Sequence, residues 1–319
     1  MKKNLDGGLK KIIILILFIT VSSKYTNCSE ILDYETEEFI HNIIEDIKKV
    51  NGVSKSIKFI INNENEINAF VDINNIIHIN SGLIQNSKDY VALLSVLAHE
   101  IGHIELNHIS LRNKKINKAT KYNNLSLLSV IAGSAITRDP KFLQANIISN
   151  AALANKYIIF SKEQEMEADL YALKTLNLLN TNSDSIIELL ELIEQKQLEK
   201  GFSKENQRIS THPYFEDRIL LIKNFKNDQE IKNNFDKNYN HRFNFIKAKF
   251  VGYNDNNNEI LNKLKQPYKT YAESIKSARN GNLKMSLENL NEIIRKSKNS
   301  FILETKADIL FSYGFTNEA

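Results

Sequence analysis

The segment Val96 to His108 reads VLAHEIGHIELNH and sets three histidines and two glutamates into an apolar, helix-periodic run. Tyr90, Val91, Leu93, Leu94, Val96, Leu97 and Ile101 recur at the spacing of one helical face, and Ser87 is a candidate N-cap with Asp89 in the first turn. His99 and His103 lie four residues apart and therefore stack on one face, within reach of a single ion. Imidazole nitrogen suits zinc, and Glu100 stands beside the pair, where it can take a proton from a water at the ion.

Two histidines leave a tetrahedral ion short of ligands, and the sequence must supply a third. Leu106 and Ile109 occupy the positions where a metzincin would carry Gly and His, which excludes that class. His108 falls five residues past His103, off the ligand face of a continuous helix; it and Glu105 are expected to face solvent. Downstream, SKEQEMEADLYAL places Glu165 and Asp169 four apart on a second helix. That spacing offers one carboxylate for the metal and another, a turn on, to hold a ligand imidazole. The alternative is a solvated acidic face made of Glu163, Glu165, Glu167 and Asp169.

The remaining chain frames this helix pair. Of its 319 residues 42% are apolar and 25% charged, enough to bury a full core. The net charge of +4, from 42 basic and 38 acidic residues, comes without basic runs, so no nucleic-acid partner is expected. Lysines at 2, 3, 10 and 11 precede an apolar run from Ile12 to Ile19, which suits a secretory signal peptide over 1–23 and is too short to span a bilayer. A membrane anchor is the alternative. Cys28 is the single cysteine, which excludes an intramolecular disulfide. An export signal without disulfides suggests a periplasm.

Ile31 to Val50 has helical periodicity, and the β-branched runs Ile57 to Ile61, Ala69 to Ile73 and Ile76 to Ile79 predict a small antiparallel sheet, closed by Ser81-Gly82. Further helices are expected from about Ala151 to Leu179 and from Ser185 to Lys200. Leu125 to Thr137 reads as a buried or lid-forming piece, Phe202 to Phe215 as a loop, and the Asn- and Lys-rich Lys223 to Asn240 as a linker. Gly281 and Gly314, 33 residues apart, suggest a tetratricopeptide-like helical repeat or an ordinary helical hairpin.

Taken in order, VLAHEIGH, SKEQEMEAD and THPYFEDRI resemble the HtpX, BepA and CAAX-prenyl-protease family of zinc metallopeptidases, which carry HExxH and ExxAD motifs. Asn68 to Val71 (NAFV) and Phe243 to Tyr253 (FNFIKAKFVGY) are similar to the exported, BepA-like branch. The resemblance covers about residues 31 to 319. It implies an α+β chain: a mainly helical gluzincin domain at 24–235 with a small antiparallel sheet beside the HExxH helix, then a linker and all-α tetratricopeptide-like region at 236–319. It further implies one zinc held by His99, His103 and Glu165, with Glu100 as base and Asp169 supporting His99. His212 would stabilise the oxyanion or act as a reversible fourth ligand. Arg218 matches the arginine of the family's HPxxxxR pattern, in a catalytic role or as an ion pair. Lys162 stands where the family often has Arg, and Asp72 to Asn75 replaces a Pro-Gly-Gly turn. The implied activity is a periplasmic endopeptidase for extended segments of unfolded or misassembled envelope proteins, with the C-terminal helices meeting outer-membrane assembly machinery. Ile76 to Ile79, as a sheet edge, would take such segments as an added strand. The competing expectation is a chaperone or scaffold whose metal site is latent or His-capped.

Overall fold

The computed structural model describes residues 30–111, 160–201, 212, 214–227, 235–254, 258–297 and 299–319. The leader, Leu125 to Thr137, Ala151 to Ile159 and most of the Phe202 to Phe215 loop lie outside the described residues. No helix among the described residues is long and apolar enough to cross a membrane.

Helix α1 spans Tyr34–Asn51. It begins later than its periodicity suggests because the Asp33 carboxylate accepts from the Thr36 amide at 2.9 Å and caps it, while Ile31 donates its amide to Ile61 of the sheet. Phe39, Ile40, Ile43, Ile44 and Ile47 form its buried face. Strands β1 (Lys58–Asn62), β2 (Ala69–Val71) and β3 (Ile76–Asn80) make a sheet in the order β1-β3-β2. β2 and β3 form an antiparallel hairpin, but β1 runs parallel to β3. The sheet is therefore mixed, where sequence alone predicted it antiparallel throughout. The alternation of side chains sets which residues form strands and carries no information on their order. In the hairpin turn the Asp72 carboxylate accepts from the Asn74 and Ile76 amides and Asn75 takes φ 60°, so an Asx turn does the work of the glycines expected there.

The chain leaves β3 directly into the short helix α2 (Ser81–Asn86). A Cβ at Gly82 would lie 2.3 Å from the Asn65 carbonyl oxygen, so only glycine lets this turn pack against the β1–β2 connection. Helix α3 (Tyr90–Glu105) then carries the histidine motif. Its N-cap is Asp89, which accepts from the Ala92 amide at 3.0 Å and from the Ser185 hydroxyl at 2.6 Å. Ser87, the expected cap, instead donates to the Leu83 carbonyl and closes α2. Helix α4 (Lys162–Leu178) opens with a capping box between Ser161 and Gln164. Helices α5 (Asp184–Glu199) and α6 (Phe215–Asn227) follow.

Helix α7 (Lys237–Tyr253), capped by Asp236, packs Phe243, Ile246 and Phe250 into the core of α1, the sheet, α3 and α4. Its opposite face gives Phe245, Ala248 and Val251 to a second core with α9 (Tyr268–Arg279), α10 (Leu283–Lys296) and α11 (Ser300–Ser312); α8 is the short Asn258–Lys263. The expected linker is thus largely helical on both sides, with 228–234 outside the described residues. Lys223, Asn224, Lys237 and Asn238 are exposed on the helix surface, while Tyr239 packs at a tilt on Phe39. Gly281 and Gly314 both adopt positive φ, and the same closing hydrogen bond recurs 33 residues apart: Asn282 to the Ser277 carbonyl at 2.8 Å, and Phe315 to the Leu310 carbonyl at 3.0 Å.

Replacing Asp89 removes both the cap of α3 and the bond to Ser185. Asp89→Ala is expected to lower unfolding free energy by about 1–2 kcal/mol, read as a shift of the urea midpoint at unchanged slope.

Candidate metal centre

Helix α3 contributes His99, Glu100 and His103, all buried, and α4 crosses it with Glu165 and Asp169, also buried. The two helices come close because the motif's Gly102 faces Tyr171; a Cβ there would sit 3.1 Å from the Tyr171 Cβ. His212 and Arg218, before and within α6, close the group from a third side. The structure therefore gathers every site residue named from the sequence. The ExxxD face is not a solvated one: Glu165 and Asp169 point inward, while Glu163 and Glu167 lie on the exposed side.

The potential donor atoms of His99, His103, Glu165 and His212 all lie within 4.8 Å of one another. His99 Nε2 is 3.0 Å from His103 Nε2 and 3.5 Å from Glu165 Oε2, and His103 Nε2 is 3.6 Å from Glu165 Oε1. His212 Nδ1 completes the group at 3.4 Å from His99 Nε2 and 3.2 Å from Glu165 Oε1. A tetrahedral ion with ligand bonds of about 2.05 Å has ligand-to-ligand edges of roughly 3.3 Å. The donor set fits a divalent cation in both spacing and chemistry. Beside it, Glu100 Oε2 is buried without a hydrogen-bond partner among the described residues, while Glu100 Oε1 lies 3.2 Å from His212 Nε2.

Arg218 holds the carboxylates. Its Nε and Nη2 donate to the two oxygens of Asp169, each at 2.7 Å, and Nη1 lies 3.4 Å from Glu165. Asp169 in turn lies 2.8 Å from His99 Nδ1. Of the two expectations for Arg218, the geometry is that of a buried ion pair. Lys162, where the family often has Arg, pairs with Asp217 at 2.8 Å on the surface.

The electrostatics follow from burial and these pairings. Burial would raise Asp169, but the Arg218 guanidinium outweighs it and holds the carboxyl below its usual range. Glu165 falls well below its usual range for a similar reason, with His212 and Arg218 overcoming burial. Glu100 is raised, chiefly by burial. Burial and Arg218 oppose protonation of His99, yet the bond and charge of Asp169, with Glu165, push it up to about 9. His103 drops well below its ordinary value through burial and the neighbouring His99.

His108 corrects the expectation that it faces solvent. It is buried, with Nδ1 at 2.9 Å from His103 Nδ1 and Nε2 at 2.9 Å from Glu167 Oε2. Five residues of continuous helix would carry it off the ligand face, but α3 ends at Glu105 and Asn107 takes φ 58°, which swings the ring back. The signal in the sequence was Asn107, one of the few residue types that accept that conformation readily. Phe160, which no motif singled out, stacks on His103 with ring centroids 3.9 Å apart. Glu105 is half-buried, 3.2 Å from Lys55. A cavity lined by Ile67, Ala69, Val96, Leu189 and Ile193 opens onto His99, Glu100 and His212.

The family model of peptidase family M48 matches residues 35–226. The chain is 24% identical over 223 residues to a beta-barrel assembly-enhancing protease of Escherichia coli (strain K12), covering 68% of this chain and 44% of that relative. It is likewise 24% identical over 186 residues to the protein of that name from Yersinia pestis, covering 58% and 37%. The chain thus spans less than half the length of these curated relatives.

Removing Arg218 leaves two buried carboxylates without their cation. Arg218→Leu is expected to cost about 3–5 kcal/mol of stability, and Arg218→Lys to recover only part of it because an ammonium cannot pair both oxygens at once. Denaturant unfolding of the two variants checks the order.

Proposed function

The chain belongs to peptidase family M48, whose members are metal-dependent, and from that premise we propose that it is a zinc-dependent endopeptidase. The observation that carries the reading is the buried His99, His103, Glu165 and His212 set beside the buried carboxylate of Glu100. His99, His103 and Glu165 would hold one zinc per chain. A bound zinc would supply the Lewis acidity that polarises a scissile carbonyl and a nearby water. Glu100, raised by its burial, takes the water's proton and passes it to the leaving amine. Asp169 holds the His99 ring through Nδ1 and is itself clamped by Arg218.

His212 either stabilises the oxyanion or caps the site. Its placement favours the cap in this conformation: Nδ1 lies in the fourth donor position and Nε2 lies against Glu100. A capped site also supports the competing reading, a chaperone or scaffold with a latent metal centre.

β3 lies between β1 and β2, so it is not the sheet edge that an added strand requires. The outer strand next to the centre is β2, and its Ala69 lines the cavity that reaches Glu100. An extended segment lying beside Ala69 would present a side chain to Ile67, Val96, Leu189 and Ile193, which favours an apolar residue next to the scissile bond. Apolar side chains on extended chain are what unfolded or misassembled proteins expose. The relatives named for β-barrel assembly extend the proposal to envelope proteins as substrates in the periplasm. The helices of 236–319, as a tetratricopeptide-like region, would meet the outer-membrane assembly machinery.

Metal analysis of the purified protein together with casein cleavage tests the reading. One zinc per chain is expected, lost in Glu165→Ala. Glu100→Gln is expected to keep the zinc and lose about 10²–10⁴-fold in rate; undiminished cleavage by it would overturn the assignment. Higher activity in His212→Ala supports the cap, and lost activity the oxyanion role.

A further inference from the structure

Asp169 accounts for the outer nitrogen of His99, and the corresponding nitrogen of His103 faces another imidazole. His103 Nδ1 and His108 Nδ1 are 2.9 Å apart, which is a hydrogen bond only if one carries the hydrogen and the other a lone pair. The far side of His108 decides which. Its Nε2 lies 2.9 Å from Glu167 Oε2, and an ionised carboxylate can only accept. The hydrogen of a neutral His108 therefore sits on Nε2, its Nδ1 is the acceptor, and His103 donates from Nδ1. The Nε2 of His103 is left as a lone pair aimed at the donor cluster. In the opposite tautomers, His108 would turn a lone pair toward the Glu167 carboxylate, and His103 would aim an N–H at His99 Nε2, 3.0 Å away.

We propose that His108 and Glu167 form a positioning relay that fixes the tautomer and orientation of His103 for metal binding, as Asp169 does for His99. This rests on the reading of His103 as a ligand. The relay spans two elements: the turn after α3, bent at Asn107, brings in His108, and α4 supplies Glu167 two residues from Glu165. Phe160 stacks on the His103 ring and limits its rotation, so the hydrogen bond selects between ring states already confined to one plane. Because Glu167 is solvent-exposed while Glu165 is buried, the acceptor can be altered without opening the core.

The test is zinc affinity, measured by competition with a chromophoric chelator, alongside thermal unfolding of the metal-free protein. His108→Leu is expected to weaken zinc binding by about 10–100-fold, and His108→Asn, whose amide oxygen can still accept, to weaken it less. At the exposed end, Glu167→Gln should loosen zinc modestly. Glu167→Lys, which replaces an acceptor with a donor and reverses the relay, should loosen it more, with the metal-free midpoint little changed in both. Glu167 keeps the test independent of whether the His108 variants fold. Wild-type affinity in both Glu167 variants would overturn the relay while leaving the metal centre in place. A wild-type chain that binds no zinc would overturn the relay together with the reading beneath it.

Discussion

The bidentate bond between Arg218 and Asp169 is the interaction on which the rest of the site depends. Desolvating two ions costs several kcal/mol each, and such a pair persists only where the geometry is good and the remaining lone pairs are used. Here both guanidinium bonds are 2.7 Å, the third nitrogen faces Glu165, and Asp169 still reaches His99. One cation from α6 thereby pairs with two carboxylates of α4 and, through Asp169, orients a histidine of α3. Those three helices are joined by charge as well as by apolar contact, and the pairing lets the group be almost wholly buried.

Apolar packing supplies the approach that this chemistry needs. Gly102 lets α3 meet Tyr171 of α4, since a Cβ there would sit 3.1 Å from the Tyr171 Cβ and force that side chain to give way. The glycine inside the HEIGH motif thus has a steric reason of its own. Around the pair, α1, the mixed sheet and α7 complete the core. Helix α7 then carries the same rigidity outward, since its other face anchors α9 to α11 and Gly252 packs against the Ala272 carbonyl. The C-terminal helices are held to the body that carries the candidate centre through this shared element, with Tyr34 of α1 also meeting Phe301 of α11.

The outer nitrogens of His99 and His103 are treated differently. One meets a carboxylate backed by arginine, the other an imidazole backed by a partly exposed carboxylate. The first arrangement places full charge next to the ring and raises His99; the second offers no such charge, and burial with the neighbouring His99 holds His103 well below its ordinary value. Two histidines on the same helical face thus have unlike electrostatics, set by what α4, α6 and the turn after α3 bring to them.

The sequence by itself located much of the helix-and-strand frame, though not the helices α2, α6 and α7, and it named the residues that the structure brings together. Periodicity located α1, α3, α5 and the three strands, and four-residue spacing put His99 with His103 and Glu165 with Asp169, because both depend only on local backbone geometry. What it misplaced were boundaries and partners. Ser87 and Asp89 are both capable caps, and the position of Ser185 decided between them. Strand order needed the return path of the β1–β2 connection past Gly82. His108 was lost to the assumption of a continuous helix, and Asn107 ended it. Only tertiary structure could decide these, since each turns on a contact between residues distant in sequence or on a backbone turn that a helical period cannot express. The same holds for the site: the residues were readable in the chain, but their burial, the Arg218 clamp and the orientation of each imidazole belong to the packing of α3, α4 and α6.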